Sequence, residues 1–241
     1  MSTFSVVATP IGNLEDITVR ALRVLANVDV ILCEDTRMTK RLLDKHNITT
    51  RTMSYHTHSH ISRTNEIIQL LQDGKNIALV SDAGTPAISD PGGELVRQIR
   101  NQLAKEIEEG SIKIEAVPGP SALTAALSIV GVSGSDFTFL GFLPHKKGRE
   151  TLFKEIASSK RTMVFYESPH RILKTLESLT EHLSVEVASE DTHQARQVSV
   201  CRELTKIFEE VKSGTAHEVK EYFESHPDKV RGEFVVIVHN L

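Results

Sequence analysis

Short apolar runs alternate with amphipathic stretches along the whole chain. Residues 4–8, 28–33, 76–81 and 112–117 are rich in apolar positions and too short for helices, so they read as buried strands. Residues 18–27 instead place Val19, Leu22, Leu25 and Ala26 at helical spacing, and 39–46, 61–72 and 94–108 read as further helices. Strands alternating with helices predict a mostly parallel sheet covered on both faces. Pro118-Gly119-Pro120-Ser121 breaks this rhythm, because two prolines around a glycine continue neither element, and Ser121 can cap a helix over 122–129. The domain boundary falls here, giving an N-terminal α/β domain over 1–117, a linker at 118–120 and a second α/β domain over 121–241. In the second half, 136–140, 161–166, 185–191, 197–202 and 233–239 are strand candidates, the last three with few helices between them. That arrangement predicts a mixed sheet with antiparallel pairs.

Composition narrows the class. A length of 241 residues suits two such domains. The net charge of −4 offers no global basic field, so any contact with nucleic acid must come from local patches. Aromatic residues are 5% with no Trp, which disfavours an enzyme that holds RNA mainly by stacking. Cys33 and Cys201 each sit in an apolar, strand-like run and read as buried free thiols. No apolar stretch approaches the roughly 18 residues of a membrane span. The start lacks the basic segment and apolar core of a signal peptide, so a cytoplasmic protein is expected.

None of the 13 glycines lies two residues from another, so the chain has no G-x-G. This removes the glycine fingerprint of dinucleotide folds, and G-x-x-x-x-G-K-[ST] is absent too. Ala8-Thr9-Pro10-Ile11-Gly12-Asn13-Leu14 follows the first strand, where a Pro-x-Gly turn either lets a ligand approach the backbone or simply connects strand to helix. The run from Ser81 to Gly93 packs two prolines, two aspartates and three glycines behind another strand; its amides and the Thr85 hydroxyl suit a ligand's amino-acid or ribose end. Glu34-Asp35-Thr36-Arg37 and Phe165-Tyr166-Glu167-Ser168-Pro169-His170-Arg171 pair carboxylates with arginine at strand ends, as polar-substrate sites or as helix starts. Tyr55-His56-Thr57-His58-Ser59-His60 has no nearby carboxylate or cysteine to complete a coordination shell and reads as a polar loop, so no metal is expected. His145-Lys146-Lys147-Gly148-Arg149 is a basic spot that can touch phosphates or form a solvated helix start.

Taken in order with Val117 to Ala122, Arg202-Glu203-Leu204-Thr205-Lys206 and Arg231-Gly232-Glu233, these motifs resemble the tetrapyrrole-methylase superfamily over essentially the whole chain. Within it the chain is similar to the small-subunit (16S) ribosomal RNA (cytidine-2′-O)-methyltransferases. The resemblance implies two α/β domains, S-adenosyl-L-methionine in the cleft between them, small-subunit ribosomal RNA as substrate, and a homodimer. It implies cofactor contacts from Ile11, Gly84, Thr85, Ile88, Ser121, Ala122, Glu167, Cys201 and Gly232. Two departures stand out. The stretch 101–111 is longer and more charged than in the family, and the chain ends at Leu241 where many relatives continue into a helical extension.

A ribose 2′-hydroxyl is a poor nucleophile that gains from a base or a cation beside it. Asp35, Glu167 and Glu203 are the expected carboxylates for that task, with Arg37 and Arg202 holding the neighbouring phosphate. Lacking a basic surface and an extension, the chain is expected to need an assembled subunit rather than naked RNA. Two rival readings use the same fold: a methylase of tetrapyrroles or modified amino acids, and a non-catalytic ribosome-binding factor.

Overall fold

The structure, a computed structural model, describes residues 1–55, 61–132, 134–185 and 196–240. Two compact units divide the chain, Met1–Ser121 and Ala122–Leu241.

The first unit holds β1 (Ser2–Val7), α1 (Val19–Asn27), β2 (Val30–Cys33), α2 (Thr36–Lys45), β3 (Thr52–Ser54), α3 (Ile61–Gln72), β4 (Ile77–Leu79), α4 (Gly92–Gln102), α5 (Ala104–Glu108) and β5 (Ile112–Val117). Its five strands are all parallel, in the order β3-β2-β4-β1-β5. Helices cover both faces, so the central strands are apolar on both sides. On one face Phe4, Leu32, Ile77 and Leu79 pack with Ile67, Leu71, Leu95 and Ile99 of α3 and α4. On the other, Val7, Ile31, Cys33 and Ala78 pack with Ala21, Leu25, Leu42 and Leu43 of α1 and α2.

The expected elements differ from this in three places. The second helix begins at Thr36, not 39, because Asp35 accepts a hydrogen bond from Arg37 N and caps it there. The helix expected over 94–108 is two, since the backbone turns at Leu103 and keeps that side chain in the core. That turn, with α5, accommodates the long charged stretch. Strand β3 has three residues, too few to show a period.

The second unit holds α6 (Ala122–Val130), β6 (Phe137–Phe142), α7 (Arg149–Ser158), β7 (Thr162–Glu167), α8 (Ile172–Val185), β8 (Gln197–Arg202), β9 (Glu210–Gly214), α9 (Ala216–Ser225) and β10 (Phe234–His239). The order is β6-β7-β10-β8-β9; β6 and β7 run parallel and every other neighbour antiparallel. The mixed sheet matches expectation. Of the strand expected over 185–191, Val185 ends α8 and the rest lies outside the described residues. Strand β9 escapes the sequence pattern because it is an edge whose Glu210 and Lys212 hide any apolar alternation.

Register decides what each strand residue can meet. Glu167, Phe234, Arg202 and Glu210 form one row across β7, β10, β8 and β9, and Tyr166, Val235, Cys201 and Val211 form the next. Successive rows face opposite sides of a pleated sheet. The first row shares the face of Phe165 and Val236, which pack under Phe153, Leu176 and Phe223 of α7, α8 and α9. The second row lies on the other face.

Helix α9 is anchored by a complete capping box. Thr215 Oγ1 accepts from Glu218 N at 3.2 Å, and Glu218 Oε2 accepts from Thr215 N at 2.8 Å. Thr215→Ala should destabilise the second unit by about 1 kcal/mol in urea unfolding. An unchanged midpoint would show the cap to be redundant.

Candidate active site

Three loops of the first unit meet at the carboxyl ends of parallel strands, where α/β sheets bind ligands. After β1, Thr9 exchanges two backbone hydrogen bonds with Gly84 of the loop after β4, at 2.9 and 3.1 Å. The buried Thr9 hydroxyl donates to Ser81 O at 3.1 Å, and Thr85 Oγ1 donates to Pro120 O of the loop after β5 at 3.2 Å. The loops touch closely: a Cβ on Gly84, which has φ +81°, would lie 3.3 Å from Ile11 Cγ2 and 3.7 Å from Pro120 O. Ile11, Gly84 and Thr85 are therefore brought together. Ile88 lies further along the loop and is 42% exposed. Ser121 ends this unit and Ala122 opens the next, starting α6.

The loop after β2 is tied to the same region, since Asp35 N donates to Asp82 Oδ1 at 3.1 Å. Arg37 grips the Asp35 carboxylate through Nε at 3.0 Å and Nη2 at 2.6 Å, and its side chain is 89% exposed. Hydrogen bonds from the Arg37 side chain and amide hold the Asp35 carboxyl at a pKa of about 2. Glu34 behaves oppositely. Burial, then the charges of Asp82 and Asp90, push its carboxyl up, and among the described residues its side chain has no hydrogen bond or ion pair. The motif around Glu34 was visible in the sequence, but its environment depends on Asp82 and Asp90, which only the fold brings near.

In the second unit, Glu167 at the end of β7 has a fully buried side chain. It accepts from Ser168 N at 2.8 Å, Arg171 Nε at 2.8 Å and Thr175 Oγ1 at 2.7 Å. Arg171 Nη1 continues to Leu143 O at 2.8 Å, and Arg149 Nη2 donates to Thr175 Oγ1 at 2.7 Å. Arg202 shares the Glu167 row; it donates to Phe208 O at 2.9 Å and lies 3.7 Å from Glu210. Cys201 sits on the opposite face, where burial and then the charge of Glu209 raise its thiol to about 12. Both cysteines are free and buried.

Glu203 leaves the sheet with φ 51° and receives Lys206 Nζ at 2.8 Å and Glu233 N at 3.1 Å. Burial pushes its carboxyl up, but Lys206 and the Glu233 amide outweigh that and leave it lowered. Gly232 has φ +83°, and a Cβ there would come within 2.1 Å of Glu203 Oε1. Glycine at 232 thus makes room for Glu203. The described residues include five non-glycine positions with positive φ; four of them, Ala87, Ser89, Glu203 and Thr205, fall in the two motif loops. Strain of this kind clusters at ligand and catalytic sites. The histidines at 56–60 lie outside the described residues.

A parallel sheet followed by a mixed one is an architecture shared with solved methyltransferases. A uroporphyrin-III-C-methyltransferase from Thermus thermophilus matches with a TM-score of 0.60 at 19% identity, over 98% of this chain and 94% of that one. A cobalt precorrin-4 methyltransferase matches with 0.59 at 18%, over 99% and 94%. At those identities the likeness concerns the fold. The chain belongs to the tetrapyrrole (corrin/porphyrin) methylases, whose family pattern it matches over residues 3–220. It is 42% identical to a ribosomal RNA small subunit methyltransferase I from Thermotoga maritima, over 99% of this chain and 98% of that one. Its identity is 44% to proteins of the same name from Halalkalibacterium halodurans and Synechocystis, covering 98% and 99% of this chain and 75% and 79% of theirs.

Removing one partner of a buried charge pair strands the other. Glu167→Ala should cost about 3–5 kcal/mol, seen as a lower unfolding midpoint. Normal stability with lost turnover would instead move Glu167 from bracing the site to reacting in it.

Proposed function

We propose that this chain is an S-adenosyl-L-methionine-dependent methyltransferase that modifies a cytidine 2′-hydroxyl in 16S ribosomal RNA of the small subunit. The observation that carries the reading is identity above 40% over nearly the whole chain to relatives named for that RNA. Within the superfamily, the motifs 81–92 and 165–171 favour the cytidine 2′-O branch over methylases of small tetrapyrroles, and the two intact loops argue against a non-catalytic factor. A homodimer in the cytoplasm completes the reading; among the described residues no helix is long and apolar enough to cross a membrane.

When bound, S-adenosyl-L-methionine supplies an electrophilic methyl group, so the protein's work is alignment and exclusion of water. The loops fit such a ligand. Gly84 lets the loops after β1, β4 and β5 close on one another, Thr85 spends its hydroxyl hydrogen on Pro120 O and leaves its oxygen to accept, and Ile88 offers an exposed apolar side chain on a strained loop. Ile11, Ser121, Ala122, Cys201 and Gly232 are its other proposed contacts. Arg37 is exposed, and among the described residues its side chain is tied only to its neighbour Asp35; it is our candidate for taking an RNA phosphate. Glu167 and Glu203 spend their polar atoms on the fold and, with Arg202, act as positioning residues. Glu34 is a better proton acceptor than Asp35, since a weakly basic carboxylate with a pKa of about 2 takes up little of a developing proton.

Mapping 2′-O-methylation in small-subunit RNA from cells with and without the protein tests the reading; identical maps would end it. Gly84→Val should lower cofactor affinity at least tenfold in calorimetry, because the side chain enters the loop contact. Affinity equal to wild type would remove this loop from the site. Arg37→Ala should leave cofactor affinity within about threefold and slow methyl transfer about a hundredfold, as displacement by about an ångström can do. A lower melting temperature with a normal single-turnover rate would reduce Arg37 to a brace for α2.

A further inference from the structure

Strand β6 carries an irregularity in its pairing with β7. Phe139 pairs with Val164, but the next pair is Phe142 with Tyr166, so β6 uses three residues where β7 uses two. The extra residue is accommodated at Gly141, with φ +64°. In a regular strand Phe139 and Phe142 would face opposite sides. The bulge turns Phe142 to the face of Phe139, and both rings meet Tyr166 edge-on, at centroid distances of 5.0 and 5.5 Å. The result is an aromatic row whose last ring, Phe142, is 56% exposed. Bulges that re-aim one side chain are frequent beside active sites.

The loop behind Phe142 is basic. His145, Lys146 and Lys147 are all exposed, and among the described residues neither lysine is in an ion pair. The loop is not loose: Arg171 Nη1 holds Leu143 O at 2.8 Å, Arg149 Nη1 holds Pro144 O at 3.2 Å, and both arginines lead back to buried Glu167 through Arg171 Nε and Thr175. A fixed aromatic edge beside unpaired ammonium groups matches a single-stranded nucleotide, with its base on the ring and its phosphates on the lysines. Charge complementarity selects RNA as the occupant, since a ribose-phosphate backbone carries a negative charge at every nucleotide for the two lysines to meet while its bases supply the faces that stack on a ring.

We propose that Phe142, aimed by the bulge at Gly141, is a base-stacking platform for single-stranded ribosomal RNA, with Lys146 and Lys147 holding the adjoining phosphates. The inference rests on the RNA-methylating reading above and adds a recognition surface to it. One ring is enough, so the low aromatic content of the chain does not argue against it.

The test compares wild type, Phe142→Ala, Phe142→Trp and the double variant Lys146→Glu/Lys147→Glu. Each is measured for binding to purified small subunits, binding of S-adenosyl-L-methionine, methyl transfer and sedimentation. Phe142→Ala should weaken subunit binding at least fivefold, while Phe142→Trp stays within about twofold and cofactor affinity is unchanged in both. The lysine variant should bind at least tenfold more weakly and show a shallower salt dependence, as lost phosphate contacts require. Phe142→Ala that binds subunits like wild type overturns the proposal, as does one that changes sedimentation, since the ring then belongs to a self-association face. If wild type itself neither binds nor methylates subunits, the RNA reading fails first and this surface falls with it.

Discussion

A carboxylate taken out of water must be compensated where it stands, and Glu167 is compensated by groups from separate parts of the second unit. Its two oxygens receive the first amide after β7, a guanidinium from the start of α8 and a hydroxyl one helical turn later. Through Arg171 the network reaches the carbonyl of Leu143 behind β6, and through Thr175 it reaches Arg149 on α7. The ends of two parallel strands and the starts of two helices are fixed relative to each other by one buried charge. Such a network is stabilising only while every member is satisfied, which explains why so many polar groups converge on one residue. The position of the exposed basic loop after β6 depends on it.

The first unit solves the same problem with backbone. Irregular segments behind β1, β4 and β5 cannot use a sheet ladder, yet Thr9 and Gly84 are buried and must pair their amides and carbonyls. They pair with each other, as an isolated bridge between two loops. The Thr9 and Ser81 hydroxyls then take carbonyls of the longer loop. A glycine at 84 is required because the pairing needs φ +81° with Ile11 and Pro120 directly alongside. The loops therefore depend on one another, and a change in one displaces the others.

This division sets how far the sequence could be read. Strands β1, β2 and β4 were legible because burial on both faces leaves an apolar run, and the thiols of Cys33 and Cys201 were legible for the same reason. Strand β9 was not, since an edge strand carries the charges of a solvated segment. The motif residues could be named from order and resemblance, but their roles could not. Glu167 and Cys201 both read as cofactor contacts, and only register reveals that their side chains sit on opposite faces of the sheet. Register depends on pairing with β10, far away in sequence. The bulge in β6 left only one trace, a glycine among aromatic residues in Phe137-Thr138-Phe139-Leu140-Gly141-Phe142.

Backbone strain offers an independent view of where function concentrates. Ala87 and Ser89 at φ 73° and 66°, with Glu203 and Thr205 at 51° and 67°, are costly for residues with a Cβ. Each pair is held by polar contacts that the loop makes with itself. Asp90 Oδ1 receives the amides of Ala87 and Gly92, while Glu209 Oε2 receives that of Thr205 and Lys206 joins Glu203 to Glu233. Glycine at such positions would relieve the strain but would add conformational entropy to the unfolded chain, and at 203 it would also lose the contacts to Lys206 and Glu233. Neither loop uses glycine at these four residues. In the second loop the Glu203 carboxylate binds Lys206 and the Glu233 amide, and Gly232 is cut away to admit that side chain.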